Sequence, residues 1–420
     1  MHLPGDKKTR LVIWLLAALC LLYFVCFIPP NNRGAPDAGH MISGDEGVTY
    51  PYVMHMLEPA TDIHNLWWRL IIYGDYHYGY PFYLASMLSL LPLRLLAGNS
   101  FFANMQLNLL ILRQVISVLP IILAAVVLVY LQTRFRKPLL AAGLLLLLFS
   151  IPGVVRQNIQ WWHPDAMTVL AVVLTVFFLD RDRLRFGRNF WLAAVCCGMA
   201  SAIKLQGFFF VLAIPGYLLA GIIQKKITLR RSLLVGLGFV VLMSVTIVVS
   251  NPFLFYASQR DKLVRVQSEK QAEMTNGYTH DDPAGYQKGP AFWEWTLNRM
   301  YGPTPLLLLL AAGLAAGCIW GPNRAANRLL LAWSVPLSLY LFYFVAPKPD
   351  HYWLPVMQPL FSTAAVPLQL LDGLRKSDPR RGVKLAAAAG LLLVLVLLVG
   401  WFAANLSYDV PQWLDAITVQ

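Results

Sequence analysis

Long runs of apolar residues recur from one end of this chain to the other. Hydrophobic residues make up 58% of the 420 residues, and charged residues 13%, about half the charged fraction of a typical soluble protein. Runs of this length cross the hydrocarbon core of a bilayer as α-helices. The pattern predicts an all-α polytopic membrane protein with about 11 transmembrane helices, within a range of 10 to 13. The predicted spans are roughly 11–29, 107–131, 139–155, 164–180, 190–203, 205–223, 232–250, 304–320, 328–346, 354–372 and 384–404.

The basic residues orient these spans. The short turns between spans contain, together with the N-terminus, 21 of the 34 Lys and Arg residues. Because basic loops remain in the cytoplasm, the count predicts a cytoplasmic N-terminus and leaves only Arg94 and Arg113 unassigned. The net charge of +13 is therefore an orientation signal, which predicts membrane lipids as partners and no nucleic acid. The compact chain favours a bacterial inner membrane, with the polar chemistry on the periplasmic side.

One apolar segment interrupts the alternation. Residues 81–97 are apolar enough to cross, but they include Pro92 and Arg94, and counting them as a span would invert every later loop. We therefore predict a juxtamembrane or re-entrant helix within a first outer loop that covers residues 30–106.

Four polar clusters lie at predicted helix ends on the same outer face. Three of them have an ordinary structural explanation: Asp45 could cap a helix, Asp165 could compensate a helix dipole, and Lys204 could extend to the membrane interface. Their shared side predicts a common cavity at the outer membrane edge, with carboxylates for base chemistry and cations for a phosphate. The clusters are Asp45-Glu46, His163-Pro164-Asp165, Lys204-Leu205-Gln206 and Lys348-Pro349-Asp350-His351-Tyr352.

The order of these clusters, with Tyr78-Gly79-Tyr80-Pro81-Phe82-Tyr83 after the first, resembles the GT-C superfamily of polyprenyl-phosphate-sugar glycosyltransferases. The resemblance is strongest to its protein-mannosyltransferase and aminoarabinose-transferase branch. It implies a GT-C-like fold and an inverting transfer of a monosaccharide from a polyprenyl-phosphate donor to an acceptor hydroxyl. The acceptor would be a glycan, a lipid or a protein, and the reaction would occur on the non-cytoplasmic face.

The resemblance also implies roles for individual residues. Asp45 would be the general base, and Glu46 would position the acceptor, the base or a cation. The sequence establishes no cofactor, but Asp45, Glu46 and Asp165 would suit a divalent cation such as magnesium or manganese. Residues expected to bind the donor phosphate are Lys204, Lys348, His351 and Tyr352, and those expected to line the cavity are His163, Asp165, Tyr50, Tyr80 and Gln206.

Three regions follow from this map: a catalytic membrane module over 1–250, an outer loop over 251–303 and a C-terminal transmembrane module over 304–420. The loop carries Arg260, Lys262, Arg265 and Lys270 at near-helical spacing, followed by Gly277 to Gly289 with Asp281 and Asp282. This pattern fits either a solvated amphipathic helix with a flexible segment or a mobile flap over the cavity.

Three other functions are compatible with a polytopic chain. A transporter or lipid flippase would show inverted repeats and broken helices near the midplane, and the sequence shows neither. A non-catalytic assembly subunit is a second alternative. A glycan ligase or polymerase that takes a diphosphate-linked donor is the third.

Overall fold

The computed structural model describes residues 7–32, 41–278, 286–377 and 380–418, and the regular elements within them are all helical. The first half contains α1 (Lys7–Cys26), α2 (Ile28–Asn31), α3 (Gly44–Leu57), α4 (Ile63–Ile71), α5 (Tyr80–Ala97), α6 (Met105–Leu112), α7 (Leu119–Thr133), α8 (Pro138–Phe149), α9 (Pro152–Asn158), α10 (Asp165–Asp182) and α11 (Arg188–Ile203). The second half contains α12 (Ala213–Ile223), α13 (Leu229–Val249), α14 (Ala257–Asn276), α15 (Glu294–Met300), α16 (Thr304–Ile319), α17 (Arg324–Phe344), α18 (Leu354–Ser362), α19 (Ala365–Ser377) and α20 (Arg381–Thr418).

Eight helical stretches of the described chain are long and apolar enough to cross a membrane, or up to ten if each of two bent pairs forms one span. The polytopic all-α architecture predicted from sequence is confirmed, but the count of eleven spans is not. Two predicted spans, 164–180 and 190–203, are not among these stretches, whereas Tyr80–Ala103, which was not predicted as a span, is. The helix α10 carries charged residues at both of its ends, and α11 has only 16 residues.

The predicted juxtamembrane segment forms α5. By length and composition Tyr80–Ala103 could cross a membrane. It packs beside α3 and α6: the Nε atom of Arg94 donates to the carbonyl of Leu57 at 3.1 Å, and the Nδ2 atom of Asn108 donates to both the hydroxyl of Tyr50 and the carbonyl of Phe101. These contacts pack the three helices together along the second half of α3.

A break in the helix pair α8 and α9 leads the chain into the polar interior. The two helices meet at 66°, and Pro152 occupies the first turn of α9. Proline has no N–H group, but N–H groups in the first turn of a helix make no intrahelical hydrogen bond, so none is lost. The Nδ2 atom of Asn31 donates to the carbonyl of Asn158 at 2.9 Å and so ties the end of α9 to α2. The segment that contains His163 starts from this fixed point.

The amphipathic helix predicted in the fourth loop is α14, and polar bonds hold it against the first loop. The Nζ atom of Lys262 donates to the carbonyl of Gly74 at 2.6 Å, and Tyr76 donates its hydroxyl hydrogen to the Oε1 atom of Gln259 at 2.6 Å. At the other end of α14, the backbone N–H of Ala346 donates to the carbonyl of Met274. Of the adjoining predicted flap, Asp281 and Asp282 lie outside the described residues.

Candidate active site

The Glu46 side chain is buried and joins three distant segments. Arg113 donates from Nε to Oε1 at 2.8 Å and from Nη2 to Oε2 at 2.6 Å. The backbone N–H groups of Trp162 and Ser43 donate to the same two oxygens, at 2.7 and 3.0 Å. Ser43 and Glu46 form a capping box that starts α3. Both Glu46 oxygens are therefore occupied, and neither is free for the acceptor or cation contact expected from sequence.

Asp45 precedes Glu46 on α3 and points elsewhere, because consecutive residues of an α-helix face different directions. Its side chain is 47% exposed, and its Oδ2 atom lies 3.6 Å from the Nε2 atom of His163. The buried pair of Glu46 and Arg113 holds the first turn of α3 in place. As a result, the half-exposed carboxylate of Asp45 is held next to His163 by a helix turn that the buried ion pair anchors.

His163 is fully buried between two polar partners. Its Nδ1 atom lies 2.5 Å from the Oδ2 atom of Asp165, and its Nε2 atom lies 2.7 Å from the hydroxyl oxygen of Tyr78. Burial lowers the pKa of His163 to about 4, so the imidazole is neutral at physiological pH. A neutral ring with its proton on Nδ1, facing the Asp165 carboxylate, leaves Nε2 to accept a hydrogen bond from Tyr78.

Asp165 connects this histidine to the cluster at residue 204. Its Oδ1 atom accepts from the Nζ atom of Lys204 at 2.6 Å and from the Nε2 atom of Gln206 at 3.2 Å. The Nζ atom of Lys204 also lies 5.1 Å from the centre of the Tyr352 ring, within cation–π distance.

The cluster that contains His351, from the last quarter of the chain, lies next to His163. The imidazole rings of His163 and His351 have their centres 5.0 Å apart. Asp45, His163, Asp165, Lys204 and His351 therefore form one continuous network, although they come from four separate parts of the sequence. The predicted convergence of the four polar clusters agrees with this geometry.

Three residues expected at the cavity make other contacts. The hydroxyl of Tyr50 accepts a hydrogen bond from Asn108, and Tyr80 packs near Tyr73, with ring centres 5.9 Å apart. The Nζ atom of Lys348 is turned toward the carbonyls of Val345 and Ala346, and lies 5.0 Å from the centre of the Trp293 ring. Tyr50 and Tyr80 thus support the packing of the first loop, whereas Lys348 lies beside the cluster.

Arg113 and Tyr78 belong to the site but were not predicted from sequence. Arg113 carried a usable signal, because a lone arginine inside an apolar run is costly unless an acid pairs with it. For Tyr78 the sequence signal was weaker and came from the adjacent glycine, Gly79. The Gly79 N–H donates to the carbonyl of Ile203 at 3.0 Å, and a Cβ atom at Gly79 would collide with the carbonyl of Ala202. Glycine at this position lets the first loop approach the end of α11.

The structure brings a different set of cation ligands together from the one expected. Ligand atoms of His163, Asp165 and His351 lie within 4.8 Å of one another. Lys204 and Gln206 occupy the Oδ1 atom of Asp165, so a divalent cation at these three residues would bind Asp165 through Oδ2. The set expected from sequence fits less well, because Glu46 has no free oxygen.

Solved structures share this fold at low sequence identity. The crystal structure of ArnT from Cupriavidus metallidurans bound to undecaprenyl phosphate has a TM-score of 0.50 and 14% identity, over 96% of this chain and 73% of that chain. The apo state of ArnT gives a TM-score of 0.50 and 15% identity, over 98% and 76%. An Archaeoglobus fulgidus oligosaccharyltransferase tethered with an acceptor peptide gives 0.50 and 13%, but this chain covers only 55% of it.

A search of curated proteins gives no match. The family comparison does give one: the model of glycosyltransferase family 87 matches residues 80–347, more than half of the chain. The matched region begins at Tyr80 and contains His163, Lys204 and α14. The fold of the solved transferases agrees with the GT-C resemblance seen in the sequence. The chain is a membrane glycosyltransferase and belongs to glycosyltransferase family 87.

Proposed function

We propose that this glycosyltransferase moves a monosaccharide from a polyprenyl-phosphate donor to an acceptor hydroxyl, with Asp45 as the general base. One observation carries the proposal: a half-exposed carboxylate lies at the edge of a buried cluster that contains Lys204 and His351. A base and a phosphate-binding group are thereby close together, as group transfer from a lipid phosphate requires. The undecaprenyl phosphate bound in ArnT, a protein of the same fold, supports this choice of donor.

The reaction balances without a further reactant. The acceptor hydroxyl gives its proton to Asp45 while its oxygen bonds to the anomeric carbon of the sugar. The bond from that carbon to the phosphate oxygen breaks, and its electron pair leaves with the polyprenyl phosphate. Attack opposite to the leaving group inverts the configuration at the sugar carbon. Lys204 and His351 would stabilise the charge that develops on the phosphate.

The neutral state of His163 fits a positioning role in this scheme. Tyr78 contacts the Nε2 atom of the ring and Asp165 faces its Nδ1 atom. Asp45 lies 3.6 Å from the same Nε2 atom as Tyr78. His163 would hold Tyr78 and Asp165 in place beside Asp45, without adding a positive charge that would weaken Asp45 as a base. Glu46 would not contact the substrates, and would instead anchor the first turn of α3, which carries Asp45.

The donor class can be tested with the purified full-length protein. We expect labelled sugar to be transferred from a polyprenyl monophosphate sugar, with release of polyprenyl phosphate. Transfer from the matching diphosphate-linked sugar alone would instead indicate a ligase or polymerase.

A glycan, a lipid and a peptide offered in parallel would identify the acceptor. In sealed bacterial vesicles, transfer only to acceptors on the periplasmic side would establish the orientation.

Lys348 gives a pH-dependent prediction. Its ammonium faces carbonyls and an aromatic ring, and no carboxylate pairs with it among the described residues. Burial and the nearby Lys288 lower the pKa of Lys348 to about 8. If Lys348 binds the donor phosphate, the donor KM should rise as the pH increases above about 8, because the lysine loses its charge. Removing one such charged contact weakens binding roughly tenfold.

Lys348→Arg provides the matched control, because a guanidinium stays protonated throughout this range. Donor KM of this variant should stay flat from pH 7 to 9.5 while the wild-type value rises. Identical pH profiles for the two proteins would remove Lys348 from the donor site. The measurement is initial rate against donor concentration at each pH.

A further inference from the structure

A cavity of about 460 Å³ lies between α1, α8 and α20, outside the site described above. Its walls are mainly apolar side chains, among them Leu22, Phe149 and Leu406. The lining residues of α1 and α20 recur at three- and four-residue spacing, so each helix contributes one continuous face. The acidic residue of the lining is Asp409.

The Asp409 carboxylate is buried without a partner. The residue is 6% exposed, and neither of its oxygens accepts a hydrogen bond from the described part of the chain. No described Lys, Arg or His forms an ion pair with it. An ionised carboxylate in apolar surroundings is strongly destabilised unless a cation or hydrogen-bond donor pairs with it. A carboxyl group in this position is stable when it is protonated or when a cationic group enters the cavity beside it.

The cavity lies at the active-site end of its three helices. The indole Nε1 atom of Trp413 donates to the carbonyl of Cys26 at 2.8 Å, which ties α20 to the end of α1. The side chain of Gln160 reaches the carbonyl of Ala416 at 3.4 Å, and Gln160 lies only three residues before His163. This end is opposite to the end where α1 and α20 begin with basic residues and where Lys137 precedes α8.

The spans that contain α1 and α20 bury few of their residues within the protein, so lipid is expected around these two helices. In the most apolar windows of the spans that contain α1 and α20, only 17% and 11% of residues are buried within the protein. An occupant from this environment would be an amphiphile, with its head group near the membrane surface and its chain along the apolar faces.

We propose that this cavity binds an aminophospholipid of the leaflet on the active-site side. The primary ammonium group of its head would pair with Asp409, and one hydrocarbon chain would lie against Leu22 and Leu406. Charge complementarity decides the class. An ammonium group neutralises the buried carboxylate, whereas the head group of an anionic phospholipid brings a second negative charge with no cation to separate them. This site is distinct from the phosphate-binding cluster around Lys204 and does not depend on the proposed reaction.

Native mass spectrometry of the full-length protein, with phosphatidylethanolamine and phosphatidylglycerol of matched chains, tests the proposal. We expect wild-type protein to retain phosphatidylethanolamine about tenfold better than phosphatidylglycerol. Asp409→Asn keeps the shape of the side chain and removes its charge, so it should abolish this preference. Asp372→Asn, at an acid already paired with Lys137, should leave the preference unchanged.

A second variant tests the cavity without altering the carboxylate. Leu406→Trp should fill the space against α1 and lower retention of both lipids, with phosphatidylethanolamine losing more. Equal retention by wild type and Asp409→Asn would overturn the proposal, as would a wild-type preference for phosphatidylglycerol. Because the readout is lipid retention, sugar transfer can fail in its own assay without affecting this result.

Discussion

Asp45→Asn is expected to abolish measurable sugar transfer while the protein remains folded and inserted. Asparagine has nearly the same shape as aspartate but cannot accept a proton from the acceptor hydroxyl. Loss of a general base costs about a hundredfold to ten-thousandfold in rate. Because the Asp45 side chain is 47% exposed and makes no buried ion pair, its removal should leave thermal stability close to wild type. The measurement is the rate of polyprenyl phosphate release from labelled donor.

Two controls make this result specific. Asp261→Asn changes an exposed acid on α14 in the same way and should retain wild-type turnover. Donor binding to Asp45→Asn should also persist, because the phosphate contacts are assigned to other residues. Turnover near the wild-type rate in purified Asp45→Asn would eliminate Asp45 as the base and leave the reaction without its assigned proton acceptor.

Arg113→Met is expected to cause the largest loss of stability of any single change near the site. It removes two charge-assisted bonds and leaves the Glu46 carboxylate buried without a cation. Removing one partner of a buried ion pair typically lowers the free energy of unfolding by about 3–5 kcal/mol. Thermal or denaturant unfolding in detergent would measure the loss. Activity should decrease as well, because the first turn of α3 carries Asp45.

The pair can be isolated by a double-mutant cycle. Glu46→Gln alone should also destabilise, since it leaves the Arg113 guanidinium unpaired, and the double variant should lose less than the sum of the two. Arg113→Lys should restore the charge but only part of the stability, because an ammonium cannot make two parallel bonds to a carboxylate. Arg94→Met, at an arginine that bonds a carbonyl, serves as the matched control. Additive losses would show that the two residues act independently.

The sequence was sufficient to predict the class of the fold and the GT-C superfamily, but not glycosyltransferase family 87. Apolar runs of spanning length, with basic turns between them, permit few alternatives to a helical membrane protein. The order of Asp45-Glu46, His163-Pro164-Asp165 and the late His351-Tyr352 was enough for the GT-C resemblance that the comparisons confirm. The number of spans was harder to predict, because charged helix ends and bent pairs blur the boundary between a span and a shorter helix.

What only the tertiary structure decided is the division of labour between the two adjacent acids. Read along the chain, Asp45 and Glu46 are equivalent carboxylates at the start of a helix. In the folded protein they point in different directions, and only Glu46 meets Arg113, which is 67 positions away. Hydropathy reports whether a residue lies in a membrane, but not which side chain from a distant helix faces it. For that reason the sequence indicated where the acids and the membrane edge lie. The packing of α3 against the segment between α6 and α7, which contains Arg113, left one acid buried and the other half-exposed.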